Sequence, residues 1–273
     1  MLRGFYTAAS GMIAQQRRQE MVSNNIANVN TPGYKADQAT LRSFPEMLIH
    51  LIDQKKIPTT NEVKLRRSQP IGGLHTGVYA QESILNFSQG MIRETGMFTD
   101  VALIDRDYPD ENGQVFFTVR NENGDIRYTR NGNFTVDGEG YLTTNEGFYV
   151  LDENGNEIQT DGLEFLVTDE GYVQTAAGQA RLGIAYIADA HELIKEENDL
   201  LSPEAGDVDV QNAYASDANF TMRQGFLEGS NVDAGRSMTE MMQAYRNFEM
   251  NQRVLKAYDE SMDKAVNQIA RLT

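Results

Sequence analysis

The sequence contains no cysteine and only three histidines among its 273 residues. Without cysteine the chain can have no disulfide framework, no thiol nucleophile and no thiolate metal site. His50, His75 and His191 are too scattered along the chain to form a ligand pair on one helix face. We therefore expect neither a metal nor another cofactor.

Long apolar runs are also missing. No stretch approaches the roughly 20 apolar residues that a membrane-spanning helix needs, so we expect no membrane segment. The apolar residues near the N-terminus are spaced around a helix, Gln and Arg follow them at once, and no small-residue cleavage site is present. If the protein leaves the cytoplasm, we expect a route without a cleaved signal peptide.

Basic side chains are scarce, with 24 Lys and Arg against 40 Asp and Glu, for a net charge of −16. The imbalance lies in residues 36–230, which carry 14 basic and 33 acidic side chains, or −19. By contrast, residues 1–35 carry four basic and one acidic, and residues 231–273 carry six of each. This distribution argues against nucleic acid as a partner.

Carboxylates are abundant, so a secreted glycosidase is the enzymatic alternative, and it needs an acid and a base about 5–10 Å apart. Nothing in the sequence selects such a pair. The chain has no nucleophile elbow, phosphate loop, zinc motif or dinucleotide fingerprint, and the run 152–156 has its glycine misplaced for a calcium loop. We predict that the protein is not an enzyme.

Both ends of the chain show helical periodicity. From Ser237 a seven-residue repeat predicts a helix too long to bury its apolar stripe against a small β domain, so it needs a partner helix. Its apolar positions are Met238, Met241, Tyr245, Phe248, Leu255, Met262, Val266 and Ile269. The N-terminus supplies a matching stripe in Leu2, Phe5, Ala9, Met12 and Ile13. Gly11 within that stripe indicates either close approach of another backbone or a kink.

An asparagine-rich block, Asn24, Asn25, Asn28 and Asn30, follows the first helix and precedes Thr31-Pro32-Gly33. Asparagine competes for local backbone groups and so favours a helix end. Four in seven positions exceed what a cap requires, and each amide offers both donors and an acceptor. We favour a packed polar seam with the extended segment of the same or an adjacent subunit; an ordinary helix end is the alternative.

Between the helical ends, short β runs alternate with Gly-containing turn dipeptides, which predicts a β meander or small barrel. Each dipeptide is expected to supply the positive-φ residues of a tight hairpin: Asn112-Gly113, Asn123-Gly124, Asn131-Gly132, Asp137-Gly138, Asn154-Gly155 and Asp161-Gly162. Before them, residues 53–70 are interpreted as a mobile loop and residues 76–87 as extended structure. Residues 188–206 read as an acidic connection back towards the last helix.

Motifs at the ends and in the middle of the chain stand in a recognisable order. At the ends are Ala9-Ser10-Gly11-Met12, the run from Asn24 to Lys35, and Leu227-Glu228-Gly229-Ser230-Asn231-Val232-Asp233. In the middle are Phe87-Ser88-Gln89-Gly90 with Thr95-Gly96 and Asp100, then Tyr128-Thr129-Arg130-Asn131-Gly132-Asn133-Phe134 with Asp137 and Gly140-Tyr141-Leu142. Together they resemble the bacterial flagellar rod and hook proteins. The length and single inserted β region are most similar to rod proteins of the distal-rod type.

That resemblance implies a flagellar basal-body rod subunit that polymerises into a helical tube, transmits torque to the hook and is exported by the flagellar type III apparatus. It implies an extracytoplasmic location in the basal body, and as partners the protein itself, other rod and hook proteins and the export apparatus. The alternatives are a hook-type or hook-associated axial protein, or a secreted β-rich binding module.

We therefore predict an α+β fold in which discontinuous terminal helices form a coiled-coil-like domain and an all-β domain is inserted between them. Residues 1–35 and 231–273 form the helical assembly domain, 36–95 and 189–230 a connecting extended or loop region, and 96–188 the β domain. The predicted assembly interface comprises Leu2, Phe5, Ala9, Met12, Asn24, Asn25, Asn28, Asn30, Met241, Tyr245, Phe248, Leu255, Met262 and Ile269.

Overall fold

A computed structural model describes residues 2–57, 63–160, 162, 165–175, 178–203, 209–216 and 218–269, without the side chains of residues 2, 51–57, 63–67, 197, 268 and 269. The chain divides into two compact units. The helical unit comprises Met1–Ser23, Gln38–Ser83 and Gly235–Thr273, and the β unit comprises Asn24–Asp37 and Ile84–Ala234. The predicted α+β class, with a β region inserted between terminal helices, is confirmed. The four domain boundaries drawn from the sequence, and the coiled-coil character of the helices, stay predictions.

The helical unit contains most of two long helices and of the first four strands. Their bounds are α1 Leu2–Ala27, β1 Asp37–Ser43, β2 Met47–Ile57, β3 Val63–Leu74, β4 Val78–Leu85 and α2 Ala234–Lys264, and a π-helical turn, Ala265–Ile269, follows α2. Half of the residues of α1 are Ala, Met, Gln, Arg or Glu, which are good helix formers. The helix ends at Ala27, within the asparagine-rich block, so that Asn24 and Asn25 lie in its last turn rather than after it.

Glycines on α1 face side chains of α2, which runs antiparallel to it. A Cβ atom on Gly4 would lie 2.0 Å from the Tyr258 hydroxyl oxygen, and one on Gly11 would lie 3.0 Å from Nδ2 of Asn251. Advancing seven residues along α1 therefore moves the contact back seven residues along α2. The close neighbour of Gly11 is a side chain, not the second backbone that we considered.

Strand β4 runs alongside α1 in the same direction. Near its start, Thr7 Oγ1 donates a 2.8 Å hydrogen bond to the carbonyl of Thr76. Near its end, the Ser83 hydroxyl lies 4.0 Å from the Met21 sulfur. Between these two contacts the helix advances by about 21 Å and the strand by about 23 Å, so the two elements lie side by side over this length. The prediction of extended structure for residues 76–87 is confirmed by β4.

A long hairpin replaces the mobile loop that we inferred for residues 53–70. Strands β2 and β3 pair antiparallel from Met47 opposite Leu74 to Ile57 opposite Val63. The loop interpretation is wrong for residues 53–57 and 63–70, because a polar and basic composition does not prevent a strand from pairing along its backbone. Residues 58–62 lie outside the described part of the chain.

The β unit contains the remaining strands: β5 Ile92–Glu94, β6 Val101–Asp107, β7 Gln114–Arg120, β8 Ile126–Thr129, β9 Phe134–Val136, β10 Leu142–Thr144, β11 Tyr149–Val150, β12 Leu166–Val167, β13 Tyr172–Gln174, β14 Gln179–Arg181, β15 Ile184–Ile187, β16 Leu193–Lys195, β17 Leu201–Pro203, β18 Val210–Asn212, β19 Asn219–Gln224 and β20 Phe226–Glu228. Its largest sheet has the order β16-β17-β8-β7-β11-β10-β9, and β15 links β7 to β18. This sheet is open, so of the two predicted forms the small barrel is wrong. Smaller sheets pair β19 with β6 and β20 with β5.

The core of the β unit is built on both faces of its central strands. In β7, Val115, Phe117 and Val119 point into the larger apolar cluster, whereas Phe116 points into the smaller one. In β15, alternate residues also divide between the two clusters. Successive side chains leave opposite faces of a strand, so a strand covered on both sides must be apolar throughout. This accounts for the nearly unbroken apolar run in β7.

Five turns in the described part of the β unit are of one kind. The first residue is Asn121, Asp137, Thr144, Asp152 or Thr168, and three residues later stands a glycine with φ between 82° and 94°. In each turn the side-chain oxygen of the first residue accepts a hydrogen bond of 2.8–3.2 Å from the fifth residue's N–H. The pattern is that of hairpin loops in which a left-handed glycine follows a type I turn.

These turns correct our interpretation of the dipeptides. Among the described dipeptide residues, only Gly124 and Gly155 have positive φ, and their asparagines do not. The first residue of the turn acts through its side chain, so only the glycine must be left-handed. At Gly132 the requirement is a close approach instead, since a Cβ there would lie 1.7 Å from the Val101 carbonyl oxygen.

Candidate functional site

In the helical unit, the predicted interface residues fall into two environments. Most are half-buried, namely Phe5, Ala9, Met12, Met241, Phe248, Leu255 and Met262. Tyr245 is 55% exposed, so more than half of its surface is uncovered within the chain. The side chains of Leu2 and Ile269 lie outside the described residues.

An exposed apolar stripe occurs on α2. Met238, Met242 and Tyr245 follow one another at intervals of four and three residues, which places them on one side of a helix. Met238 and Met242 are 55% and 58% exposed. Ala244, by contrast, is fully buried on another side of α2. We call Met238, Met242 and Tyr245 the α2 stripe.

In the β unit, the asparagine-rich block divides into two roles. Asn25 is buried and bonds to the start of β1: its Nδ2 donates to the Asp37 carbonyl at 2.8 Å, and its Oδ1 accepts from the Asp37 N–H at 3.0 Å. Asn28 instead bonds back within the helix end, donating to Asn24 Oδ1 at 2.7 Å. Asn30 is exposed. The polar seam thus belongs to Asn25, and the local helix end to Asn24 and Asn28.

A buried cluster of charges lies just beyond that seam. Glu228, at the end of β20, accepts from the Lys35 ammonium at 2.8 Å with Oε1 and from Arg130 Nε at 2.8 Å with Oε2. Its Oε1 also accepts from the Gly90 N–H at 2.9 Å. All three charged side chains are at least 95% buried. One carboxylate therefore joins three segments of the chain, which contain Lys35, Gly90 and Arg130.

Arg130 carries the cluster onward to β6. Its Nη2 donates to the Asp105 carboxylate, and its Nη1 donates to the carbonyl of Val115. The Tyr108 hydroxyl also donates to Asp105. We call Lys35, Asp105, Arg130 and Glu228 the junction cluster; its two cations and two carboxylates give no net charge.

Burial and mutual attraction set the ionisation of the cluster. Burial, assisted by repulsion from Arg130, lowers the pKa of Lys35. Burial alone would raise the pKa of Glu228, but the charges of Arg130 and Lys35 hold that pKa below its ordinary value. Burial opposes the charge of Arg130, yet Glu228 and Asp105 raise its pKa. Every charge is satisfied by a fixed partner, so the cluster is suited to holding segments together.

Glycines allow the backbones at this junction to approach. Gly33 has φ of 72°, and a Cβ on it would lie 2.5 Å from the Arg130 carbonyl carbon. A Cβ on Gly90 would lie 1.9 Å from the Gly229 carbonyl oxygen. The Gly33 N–H donates to the Glu228 carbonyl at 2.8 Å. A side chain at either glycine would therefore force these segments apart.

Asn231 completes the junction. Its Oδ1 accepts from the Ala36 N–H at 2.8 Å, and its Nδ2 donates to the Asn86 carbonyl at 2.7 Å. The same Nδ2 lies 3.1 Å from the Ser88 carbonyl. One amide, which follows the central β region in the sequence, thus bonds to two segments that precede it.

A hairpin tip covers Tyr34 next to the cluster. The Lys195 ammonium, at the end of β16, lies 3.6 Å from the centroid of the buried Tyr34 ring and 3.0 Å from Asp199 Oδ1. Asn198 and Asp199 are the two non-glycine residues with positive φ, at 58° and 56°, in the described part of the chain. Such conformations cost on the order of 1–3 kcal/mol each and persist where surrounding structure enforces them.

The junction cluster was not among the residues predicted from the sequence to form a site. Lys35, Arg130 and Glu228 each lie inside a motif that carried the family resemblance, so a charged residue in three separate motifs was the available signal. Lys195 and Asp199 gave no signal, because an ordinary acidic stretch surrounds them. Their role depends on strand pairing that brings residues 161 positions apart into contact.

Three families match separate parts of the chain. Residues 5–35 match the family described as "Flagella basal body rod protein", and residues 112–175 match "Flagellar hook protein FlgE/F/G D1 domain". Residues 223–269 match "Flagellar basal body rod FlgEFG protein C-terminal". The first and last matches include Lys35 and Glu228, which meet in the junction cluster.

Relatives match along the whole length. The flagellar hook-basal body complex protein FlhO of Bacillus subtilis (strain 168) is 42% identical over 277 residues, covering 100% of both chains. The flagellar basal-body rod protein FlgG of Borreliella burgdorferi is 30% identical, covering 98% of each. The hook-basal body complex protein FlhP of Bacillus subtilis is 31% identical, covering 96% of this chain and 97% of its own. Within the described residues, neither helix is apolar enough over a sufficient length to cross a membrane.

Proposed function

The chain belongs to the flagellar basal-body rod and hook protein family, and we propose that it polymerises into the helical tube of the rod as a structural subunit. The observation that carries this proposal is the α2 stripe, which leaves three large apolar side chains more than half exposed on one helix. Contiguous exposed apolar surface is characteristic of protein–protein contact sites. The structural role in rod or hook is supported by relatives that match over nearly the full chain.

We propose that a neighbouring copy of the chain covers the stripe. Charge favours contact through the helical unit, which has 15 basic and 10 acidic side chains, a net +5. The β unit has nine basic and 30 acidic, a net −21. Copies that met through their β units would bring large like charges within the roughly 8 Å Debye length of physiological salt. Copies that meet through their helical units avoid most of that repulsion.

The family resemblance also supports proposals on export, location and torque. We propose export through the flagellar type III apparatus, an extracytoplasmic location in the basal body, and transmission of torque to the hook. The junction cluster suits a torque-bearing subunit, because buried ion pairs join the segment after α1 to the segment before α2. A strain with a disabled flagellar export gate should retain the protein inside the cell; normal secretion from that strain would contradict this route.

The test of assembly is Met242→Glu with Gln243→Glu as the matched control. Both residues are exposed on the same helix, so each variant monomer should fold normally. Burying a carboxylate without a partner costs several kcal/mol, and Met242→Glu should therefore abolish polymerisation and motility, whereas Gln243→Glu should not. Polymerisation of Met242→Glu at the wild-type critical concentration would overturn the proposal.

The same preparations distinguish the alternatives. A β-rich binding module would keep its function as a monomer without the terminal helices, whereas a rod subunit would lose it. A hook-type or hook-associated protein would polymerise but would appear outside the basal body in labelled flagella. We propose that the protein has no catalytic activity, consistent with a family of structural proteins.

A further inference from the structure

Methionine is the chain's only sulfur-containing side chain, since it has 12 methionines and no cysteine. The methionine thioethers are therefore the only sulfur groups of the chain that peroxide can oxidise. The methionines differ widely in exposure: Met222 is buried in the β unit, whereas Met91 is 82% exposed. On α2, both methionines of the α2 stripe are exposed to similar extents.

We propose that Met238 and Met242 form an oxidation-sensitive site that controls assembly: peroxide converts these thioethers to sulfoxides, and the oxidised chain no longer polymerises. This inference rests on the proposed function, because it requires the α2 stripe to be covered by a neighbouring copy. It adds a reagent class, hydroperoxides, and a chemical state of the free subunit that determines whether the subunit can assemble.

The chemistry is a two-electron oxygen transfer. A sulfur lone pair attacks one oxygen of hydrogen peroxide, the O–O bond breaks, and an S–O bond forms. Proton transfer releases the second oxygen as water, so that sulfur is oxidised and peroxide is reduced. A dithiol-dependent sulfoxide reductase reverses the change by returning two electrons and two protons, with a second water as product.

Position decides which oxidised methionine matters. A sulfoxide is polar and demands hydrogen bonds, so it opposes burial of the stripe against another apolar surface. Losing the burial of one methionine side chain corresponds to about a ten- to hundredfold weaker contact. Met91 and Met97 are more exposed and should oxidise at least as readily, but they belong to the β unit and not to the α2 stripe.

The experiment uses the full chain. Monomer is treated with graded hydrogen peroxide, sulfoxides are assigned by peptide mass spectrometry, and the critical concentration for polymerisation is measured. As Met238 and Met242 become oxidised, the critical concentration of wild type should rise by about ten- to hundredfold. The same treatment should raise the critical concentration of Met238→Leu/Met242→Leu, compared with that variant's own untreated value, far less than it raises that of wild type. The control Met91→Leu/Met97→Leu should be inhibited like wild type.

Pre-assembled polymer provides a second measurement, since both stripe methionines should be protected from peroxide there. Inhibition of the Met238→Leu/Met242→Leu variant to the wild-type extent would overturn the inference, as would full assembly of wild type with both residues oxidised. Failure of the proposed function looks different: Met242→Glu would then assemble without any peroxide treatment.

Discussion

Removing the charge of Glu228 should strongly destabilise the β unit. Its Oε1 accepts from Lys35 and Gly90 and its Oε2 accepts from Arg130, so all its neighbours are donors. In Glu228→Gln, the new amide NH₂ would face a donor whichever way it is placed. The substitution also leaves the buried Lys35 ammonium without a counter-ion. Breaking a buried ion pair in this way costs about 3–5 kcal/mol, a large share of a typical 5–15 kcal/mol stability.

The free energy of unfolding can be measured by urea titration with circular dichroism and tyrosine fluorescence. Eight of the 12 tyrosines belong to the β unit, and tryptophan is absent. A loss of about 3–5 kcal/mol would lower the melting temperature by about 10 °C. Glu249→Gln is the matched control, because its partner Arg253 is 74% exposed and such pairs contribute at most about 1 kcal/mol.

The pH dependence gives an independent check. Because the folded pKa of Glu228 is lowered, its stabilising effect is present above the ordinary carboxyl pKa and is lost as pH falls through the folded pKa. The difference in the free energy of unfolding between wild type and Glu228→Gln should therefore become smaller in acid. Without Glu228, the pKa of Lys35 should fall further, so the variant should gain stability relative to wild type as pH rises towards 10.

A double variant isolates the cause. Lys35→Met removes the stranded cation, so Glu228→Gln/Lys35→Met should lose less stability than the sum of the single losses. A loss below about 1 kcal/mol in Glu228→Gln, or strictly additive losses in the double variant, would refute the reasoning from buried charge.

Two further changes test the junction. Gly33→Ala should lower the free energy of unfolding by about 2 kcal/mol or more, because φ is 72° and the new methyl would collide with the Arg130 backbone. In thermal melts its melting temperature should lie well below that of a Gly72→Ala control, where the Cβ meets open space. Lys195→Met should speed hydrogen exchange of the amides around Tyr34 by removing the cation over its ring, while amides of β9 keep their wild-type protection; equal exchange at Tyr34 would count against the contact.

The sequence by itself determined the two terminal helices, the central β region and the family. Apolar residues at helical spacing predicted the N-terminal helix, and a seven-residue repeat predicted the C-terminal one. Short β runs between glycine turns predicted a β region, since these patterns follow from backbone geometry alone. The motif order also identified the flagellar rod and hook family. Asparagine-rich composition correctly marked the end of α1, because asparagine favours local backbone bonding over helix continuation.

Tertiary structure alone decided how distant segments meet. Lys35 and Glu228 are 193 residues apart, and no local pattern states that the Lys35 ammonium donates to the Glu228 carboxylate. The hairpin of β2 and β3 was misread because strand pairing depends on a partner elsewhere in the chain, whereas composition describes each segment separately. Likewise, periodicity placed Met241 and Tyr245 in one stripe, but only the packing of α2 against α1 left Tyr245 exposed and Met241 half-buried. Burial is a property of the neighbours a residue acquires, and those neighbours are chosen by the whole fold.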